Sequence, residues 1–347
     1  MNWASIKLLS AQAALEPVHG CIFAQMTQKC EKQTKNGKPY WELQFADVSS
    51  SMTIKIWDNA PCYEQVCALQ QEECLALTGH WQQNAFGLDV SQLSMRPLTP
   101  EESELLFAGD AELIAKQERD WQLIADKLDS IRDPRLNQLC ALTIKLYGER
   151  YRRAAAARGY HHARRGGLVE HVAGMIRAAE GICTAYPQLN RDLLLAGAFF
   201  HDCGKMWENN YNERSLSMPY SEIGELMGHI PMGIELINSL WKQIMELPEA
   251  AGWAKLHPST HQVRFHLLHL IASHHGELAF GSPVVPKTPE AIALHYIDNL
   301  DAKLEMFIGC YESSPELGPH VYQRKAPLPS NIVSPLPAFE VAGEKPE

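Results

Sequence analysis

Three absences narrow the reading before any motif is considered. No stretch approaches the roughly 18 uninterrupted apolar residues that span a bilayer, and the opening MNWASIKLLSAQAALEP lacks the charged start and long apolar centre of a signal peptide. A soluble, cytoplasmic protein with no membrane partner is therefore expected. No CxxC pair occurs among the nine cysteines, which are odd in number and scattered from Cys21 to Cys310, so neither a disulfide framework nor a zinc ribbon is indicated. Positive charge is not in excess either: the net charge is −10, so nucleic acid would have to be held by local patches and not by the surface as a whole.

What is present divides into three regions. Residues 15 to 98 read as short strands: YWELQFAD and MTIKIWD alternate apolar and polar side chains, and KNG between strands is a hairpin-type turn. Five such strands in under a hundred residues suggest an all-β barrel of the OB kind over residues 1–100. From residue 101 to 312 the periodicity becomes helical, in LNQLCALTIKLYGERY, LVEHVAGMIRAAEGICTAY and IALHYIDNLDAKLEMFIGCY, and an all-α domain is expected. Residues 313–347, rich in proline and polar residues, read as an extended or disordered tail, with packing along a neighbouring surface left open.

The stretch AFFHDCGKMWE, residues 198–208, ends an apolar run with a histidine, an aspartate and a lysine. It is not alone. His171, His229, the pair His274–His275, and Asp298 also lie in or beside apolar periodic segments. Taken singly, each reads as a hydrogen-bonded core residue. Repeated on successive helices, buried imidazoles and carboxylates each cost on the order of 1–3 kcal/mol unless partnered, and convergence on metal satisfies them together. Imidazole and carboxylate without thiolate suit manganese, iron, cobalt, nickel or zinc, and the donors outnumber the four of one tetrahedral zinc. Two divalent ions fit better. Asp202 is the candidate to bridge them, because a carboxylate can bridge two metals and an imidazole cannot. Two close ions sharing a water form a phosphoester-hydrolysing arrangement.

The pattern H…HD…H…HH…D, with its HDCGK core, resembles the HD-domain metal-dependent phosphohydrolases. HHARRGGLVEHV, YPQLNRDLLLAGAFFHDCGK, GHIPMG and ASHHGELAFGSPVVPKTPEAIALHYIDNLDAK further resemble the YhaM-type 3′→5′ exoribonucleases, which join an N-terminal OB domain to a helical HD domain. The resemblance spans residues 15 to 312. It implies that His171, His201, Asp202 and Asp298 hold one ion and Asp202, His229 and His274 the other, with manganese or a similar metal in use. It further implies that Lys205 steadies the phosphate or the attacking water, that His275 is a ligand or a substrate contact, and that the chain is a homo-oligomer. Two departures stand out: Cys203 occupies a place usually aliphatic, and the OB turn reads DVSSSM where D-x-T-G is commoner.

Single-stranded RNA or DNA is the expected partner, cut from its 3′ end to nucleoside monophosphates. Tyr40, Trp41, Phe45, Trp57 and Trp81 are available to stack bases, although alternation turns no more than about two outward. The stronger electrostatic signal is KLYGERYRRAAAARGYHHARRGG, which leads into His171; Arg152, Arg153, Arg158, Arg164 and Arg165 are its candidate phosphate contacts, with His161 and His162 beside them. The same residues permit a nucleotide or cyclic-dinucleotide phosphohydrolase, or a non-catalytic single-strand-binding protein.

Overall fold

The computed structural model describes residues 4–84, 87–109, 111–158 and 162–337. A first helix, α1 (Ile6–Leu15), precedes the strands β1 (Val18–Gln33), β2 (Pro39–Ala46), β3 (Ser51–Trp57), β4 (Cys74–Asn84) and β5 (Gly87–Pro97), with a short helix α2 (Tyr63–Ala68) between β3 and β4. All ladders are antiparallel and the order is β3-β2-β1-β4-β5, an OB-type topology. The barrel expected from the sequence is thus a five-stranded sheet whose edges, β3 and β5, no ladder joins among the described residues. Bulges at Met26/Gln28 and Thr78/His80 bend its strands.

Alternation explains the inner face. Met52, Ile54 and Ile56 of β3 are buried while Ser51, Thr53, Lys55 and Trp57 are exposed, and Phe45 and Trp81 lie fully inside. The Trp81 indole N–H donates to the Gly20 carbonyl at 3.1 Å, which satisfies its one polar group. Of the five aromatics considered for stacking, Trp57 is exposed and packs on Tyr40 across the β2–β3 ladder at 4.9 Å between centroids. The DVSSSM turn is closed by Asp47, which accepts from the Ser49 and Ser50 amides and, through its other oxygen, from the Ile6 amide at 2.6 Å. One carboxylate therefore does the work of a glycine turn and fastens α1 to the sheet.

Twelve helical segments follow among the described residues: α3 (Pro100–Ala108), α4 (Ala111–Asp129), α5 (Pro134–Arg153), α6 (Gly167–Ala185), α7 (Arg191–Phe200), α8 (Lys205–Glu208), α9 (Glu222–Met227), α10 (His229–Met245), a 3-10 turn Pro248–Lys255, α11 (Thr260–Ser273), a 3-10 turn Leu278–Phe280 and α12 (Pro289–Ser313). Helix α7 is the axis of this region, buried at every position from Leu193 to Phe200 and packed among α4, α5, α6, α11 and α12. A helix apolar all round must sit inside a bundle. Its start is fixed by the Asn190 side chain capping the Leu193 amide at 3.0 Å.

Two further features bear on function. The sheet docks on the loop between α8 and α9: Gln25, buried, accepts from the Leu216 amide at 2.6 Å, and Phe23, Ala46, Val48 and Ala76 pack with Leu106 and Leu216. The tail lies along a neighbouring surface, α12, as one expectation allowed, but it forms a sheet where an extended or disordered segment was expected. Its described part forms a three-stranded antiparallel sheet, β6 (Glu316–Gly318), β7 (Val321–Tyr322) and β8 (Ile332–Val333). Leu328 and Ile332, sparse among prolines, anchor it on Met306, Phe307, Cys310 and Tyr311 of α12. No helix among the described residues is long and apolar enough to cross a membrane.

Candidate metal centre and the loop beside it

The side chains singled out in the sequence meet at the open end of α7. His201 and Asp202 lie in the turn that closes α7, His171 comes from α6, His229 opens α10, His274 follows α11, and Asp298 projects from α12. His171, His201, Asp202 and His274 are each no more than 1% exposed. The two oxygens of Asp202 face different neighbours. Oδ2 lies 3.2 Å from His201 Nε2 and 4.0 Å from His171 Nε2, while Oδ1 lies 3.4 Å from His229 Nε2 and 3.6 Å from His274 Nε2. Asp298 Oδ1 completes the first half at 3.3 Å from His171 Nε2.

Every imidazole is oriented from behind. His201 Nδ1 donates to the Ala198 carbonyl at 2.9 Å and His274 Nδ1 to the Ile271 carbonyl at 2.8 Å. His171 Nδ1 is held by Asp301 at 2.7 Å and His229 Nδ1 by Glu208 at 3.2 Å. Carbonyls and ionised carboxylates only accept, so each Nδ1 carries the proton and each Nε2 turns its lone pair inward. His171 and His201 then point two such nitrogens at each other across 3.3 Å. Asp202 Oδ1, His229 Nε2 and His274 Nε2 are buried with no protein hydrogen-bond partner. Converging lone pairs beside unpartnered carboxylate oxygens are the donor set of divalent cations, and the residues present fit them. Burial opposes charge on His171, but Asp298 and Asp301 outweigh it and raise its pKa to about 9, so the pocket favours positive charge there and a proton competes with a cation for the Nε2 lone pair.

The surrounding residues keep this geometry. A side chain on Gly204 would put its Cβ 2.0 Å from the His229 carbonyl oxygen, so the glycine of HDCGK lets α10 bring its histidine in. Gly174 is similarly needed, since a Cβ there would lie 2.3 Å from Asp301 Oδ1. Lys205 donates to Asp202 Oδ2 at 2.6 Å and to the Ala156 carbonyl, which occupies two of its three hydrogens. His275 anchors Nδ1 on the Phe280 carbonyl at 2.7 Å and stands with His229 and His274; burial and then His274 lower its pKa to about 4, so it is neutral. Cys203 is buried core, its Sγ against Gly233, and burial pushes its thiol pKa far up.

The arginine run is placed differently from a free phosphate track. Arg158 donates to the carbonyls of Glu208, Met218 and Pro219, and Arg165 to those of Asn212 and Glu213, so both pin the loop between α8 and α9. Arg164 pairs with Glu170 and Glu305, and Arg152 with Glu118. Arg153 keeps a buried Nε without a protein acceptor. His162 meets the same Asp301 oxygen as His171, at 3.1 Å, and His161 lies outside the described residues. The same loop presents Tyr220, 75% exposed, with the Arg158 guanidinium 4.0 Å from its ring centroid.

Three residues here escaped the sequence reading: Asp301, Glu208 and Tyr220. Asp301 follows Asp298 by three on one helix, a spacing that shares a face, and Glu208 closes the AFFHDCGKMWE stretch. Nothing local marks Tyr220.

Fold and cluster together define an HD-domain protein, and the HD domain family matches residues 168–303. The chain is 30% identical over 286 residues to the 3′-5′ exoribonuclease YhaM of Oceanobacillus iheyensis, covering 82% of this chain and 84% of that one. It is 33% identical to that of Bacillus velezensis and 32% to that of Bacillus subtilis, in both cases over 78% of this chain and 81% of the relative. The chain belongs to the YhaM family. The second OB-fold domain of replication protein A from Methanococcus maripaludis overlaps 24% of the chain and 89% of its own length at 19% identity, with a TM-score of 0.17; strand order, not that overlap, identifies the sheet.

Proposed function

We propose that this chain is a metal-dependent 3′→5′ exoribonuclease, releasing nucleoside monophosphates from single-stranded RNA. The observation that carries the chemistry is Asp202 standing between two sets of inward-facing Nε2 atoms, His171/His201 with Asp298 and His229/His274. Those residues would hold two divalent ions; donor type admits manganese, iron, cobalt, nickel or zinc, and manganese is what the family resemblance implies. When bound, the ions supply Lewis acidity at the scissile phosphoryl group and a water nucleophile at neutral pH. The protein's own part is orientation. Asp301, Glu208 and the carbonyls of Ala198 and Ile271 fix the rings, and Lys205 offsets the charge of Asp202.

The polymer is read from the loop between α8 and α9. It runs from the sheet, through Gln25 and Leu216, past Arg158 and Tyr220, to α9 and then His229. A strand lying along it meets an exposed ring with a guanidinium on one face and the other face open, suited to stacking a base. Arg153, half-buried and with an Nε that no protein acceptor meets, is the member of the run assigned to phosphate contact. The outward Trp57–Tyr40 pair is a second stacking surface, on the sheet.

The test is 5′-end-labelled single-stranded RNA, with single-stranded DNA in parallel, incubated with manganese or with chelator. A ladder shortening from the 3′ end with time, on RNA and only with metal, is expected. Internal cuts, or hydrolysis confined to free nucleotides, would overturn the reading; equal cutting of DNA would widen the substrate.

A further inference from the structure

The metal centre lies at one end of α7, and a cleft opens at the other. Four helices begin there, α5, α7, α11 and α12, and hydrogen bonds tie their starts together. Asp192 of α7 accepts from the Asp133 amide that precedes α5, Arg135 of α5 donates to the Pro258 carbonyl that precedes α11, and the Asn190 amide that precedes α7 donates to Glu290 of α12 at 2.9 Å. Between them lies a space of about 250 Å³ with apolar walls from Leu136, Leu193, Pro258 and Val263. Leu193 lines it and His201 stands eight residues further on, roughly 12 Å at 1.5 Å per residue, so the cleft is separate from the metal centre.

The polar groups that line the cleft are unevenly occupied. Glu290 is 9% exposed; its Oε1 takes the Asn190 amide, while its Oε2 meets no donor among the described residues. A carboxylate oxygen buried to that degree calls for an N–H or O–H. Asn190 and Gln262 spend their side-chain oxygens on helix caps, on the Leu193 amide at 3.0 Å and the Ser259 amide at 3.1 Å, and each keeps its NH₂ group. Asp133, by contrast, is filled by the Arg135 guanidinium, at 2.9 Å to one oxygen and 2.7 Å to the other. Apolar walls are thus combined with an open acceptor on α12 and open donors at the starts of α7 and α11.

We infer that this cleft binds a guanine base. Four helix starts carry partial positive charge that offsets the Glu290 carboxylate, so the site calls for a neutral N–H donor and not for a cation. A flat heterocycle suits its apolar walls. Guanine presents two adjacent donors, N1–H and N2–H, which a carboxylate accepts together, and beside them the O6 acceptor for an NH₂ of Asn190 or Gln262. Adenine has no N1–H, and cytosine and uracil each present a single donor group on that edge. The size agrees as well. At about 250 Å³ the cleft falls below the roughly 300–1,000 Å³ of pockets that enclose larger ligands, so the base enters while the ribose and any phosphate stay outside. The site needs no metal, and it stands whether or not the ion cluster hydrolyses RNA.

The experiment is titration calorimetry of the full chain with guanosine, with chelator present so that the metal centre takes no part. Saturable binding at or below about 1 mM is expected for a ligand of this size. Adenosine and N1-methylguanosine, which lack the N1–H, should each bind about tenfold more weakly or worse, and guanosine monophosphate about as well as guanosine. Glu290→Gln sets an NH₂ where Oε2 stands and should weaken guanosine by about tenfold or more. Val263→Met, which fills the cleft and leaves Glu290 in place, should do the same, with circular dichroism confirming the fold of both variants. A wild type that binds no guanosine would overturn the proposal. Equal affinity for N1-methylguanosine would overturn it too, and that comparison needs no variant to fold. Guanosine binding that both variants leave unchanged would place the base elsewhere on the chain and overturn the assignment to this cleft.

Discussion

The histidine–aspartate cluster and the arginine run differ in what their neighbours leave open. In the cluster, the backing hydrogen bonds are made on the far side of each ring, and His229 Nε2, His274 Nε2 and Asp202 Oδ1 face inward with no protein hydrogen bond. In the run, most guanidinium groups already hold carbonyls or carboxylates. A dense patch of charge in sequence therefore became scaffolding that shapes a loop, while sparse histidines converged on one buried pocket. What distinguishes them is unsatisfied capacity: a buried donor or acceptor without a protein partner costs about 1–3 kcal/mol and signals a missing ligand.

The sharpest way to break the comparison is to disturb the backing and not the ligands. Asp301→Asn and Glu208→Gln remove carboxylates that back Nδ1 of His171 and His229, Asp301 also holding His162 and Glu208 the His229 amide, and each should lower metal affinity by about 10–100-fold. Titration calorimetry with manganese would register one weakened site in each variant. Unchanged isotherms would mean that the rings are held by packing alone.

Next in size is Tyr220→Ala. Loss of a stacking platform is worth about 1–3 kcal/mol, so KM for an RNA oligomer should rise about tenfold while turnover of bis-p-nitrophenyl phosphate stays level. Tyr220→Trp should restore KM. A parallel fall in both substrates would make Tyr220 a support of the loop.

A smaller effect separates the arginines from one another. Arg153→Gln should flatten the salt dependence of RNA binding by roughly 0.7 in slope, one phosphate contact, whereas Arg152→Gln, already paired with Glu118, should leave the slope alone. Fluorescence anisotropy across a salt series measures both. Smallest is a surface control. Arg191, against a minor burial effect and with help from Lys127, holds the Glu180 carboxyl down to about 2. Its contribution is present above the ordinary value of 4.5 and fades as pH falls from there toward 2. Glu180→Gln should lower Tm at pH 7 by at most about 2–4 °C and converge with wild type below pH 3. A constant difference across that range would show the pair contributes nothing through charge.

Much of this was legible in the chain itself. Residue type and apolar setting located all six ligand candidates, because a buried imidazole is conspicuous against leucine and alanine. Alternation located β2 and β3, and the limit of two outward aromatics agrees with Trp57 and Tyr40. The rest depends on what meets in three dimensions. Arg158 and the Glu208 carbonyl are fifty residues apart, so no local pattern could say that the arginine was spoken for. Asp301 and Glu208 look like ordinary helix-surface acids until the ring behind each is placed. The tail's composition suggested disorder because Leu328 and Ile332, its deep anchors among the described residues, are two residues among prolines and polar side chains.

The central claim is that Asp202 joins two ion sites, and metal content tests it most directly. Full-length protein loaded with manganese and freed of excess should retain two ions per chain by mass spectrometry. Asp202→Asn, with helicity unchanged, should lose most of both and fall more than about 100-fold in RNA turnover, beyond the cost of removing an outer partner. Two ions retained in Asp202→Asn, or one ion lost with the other untouched, would contradict the shared carboxylate and the account built on it.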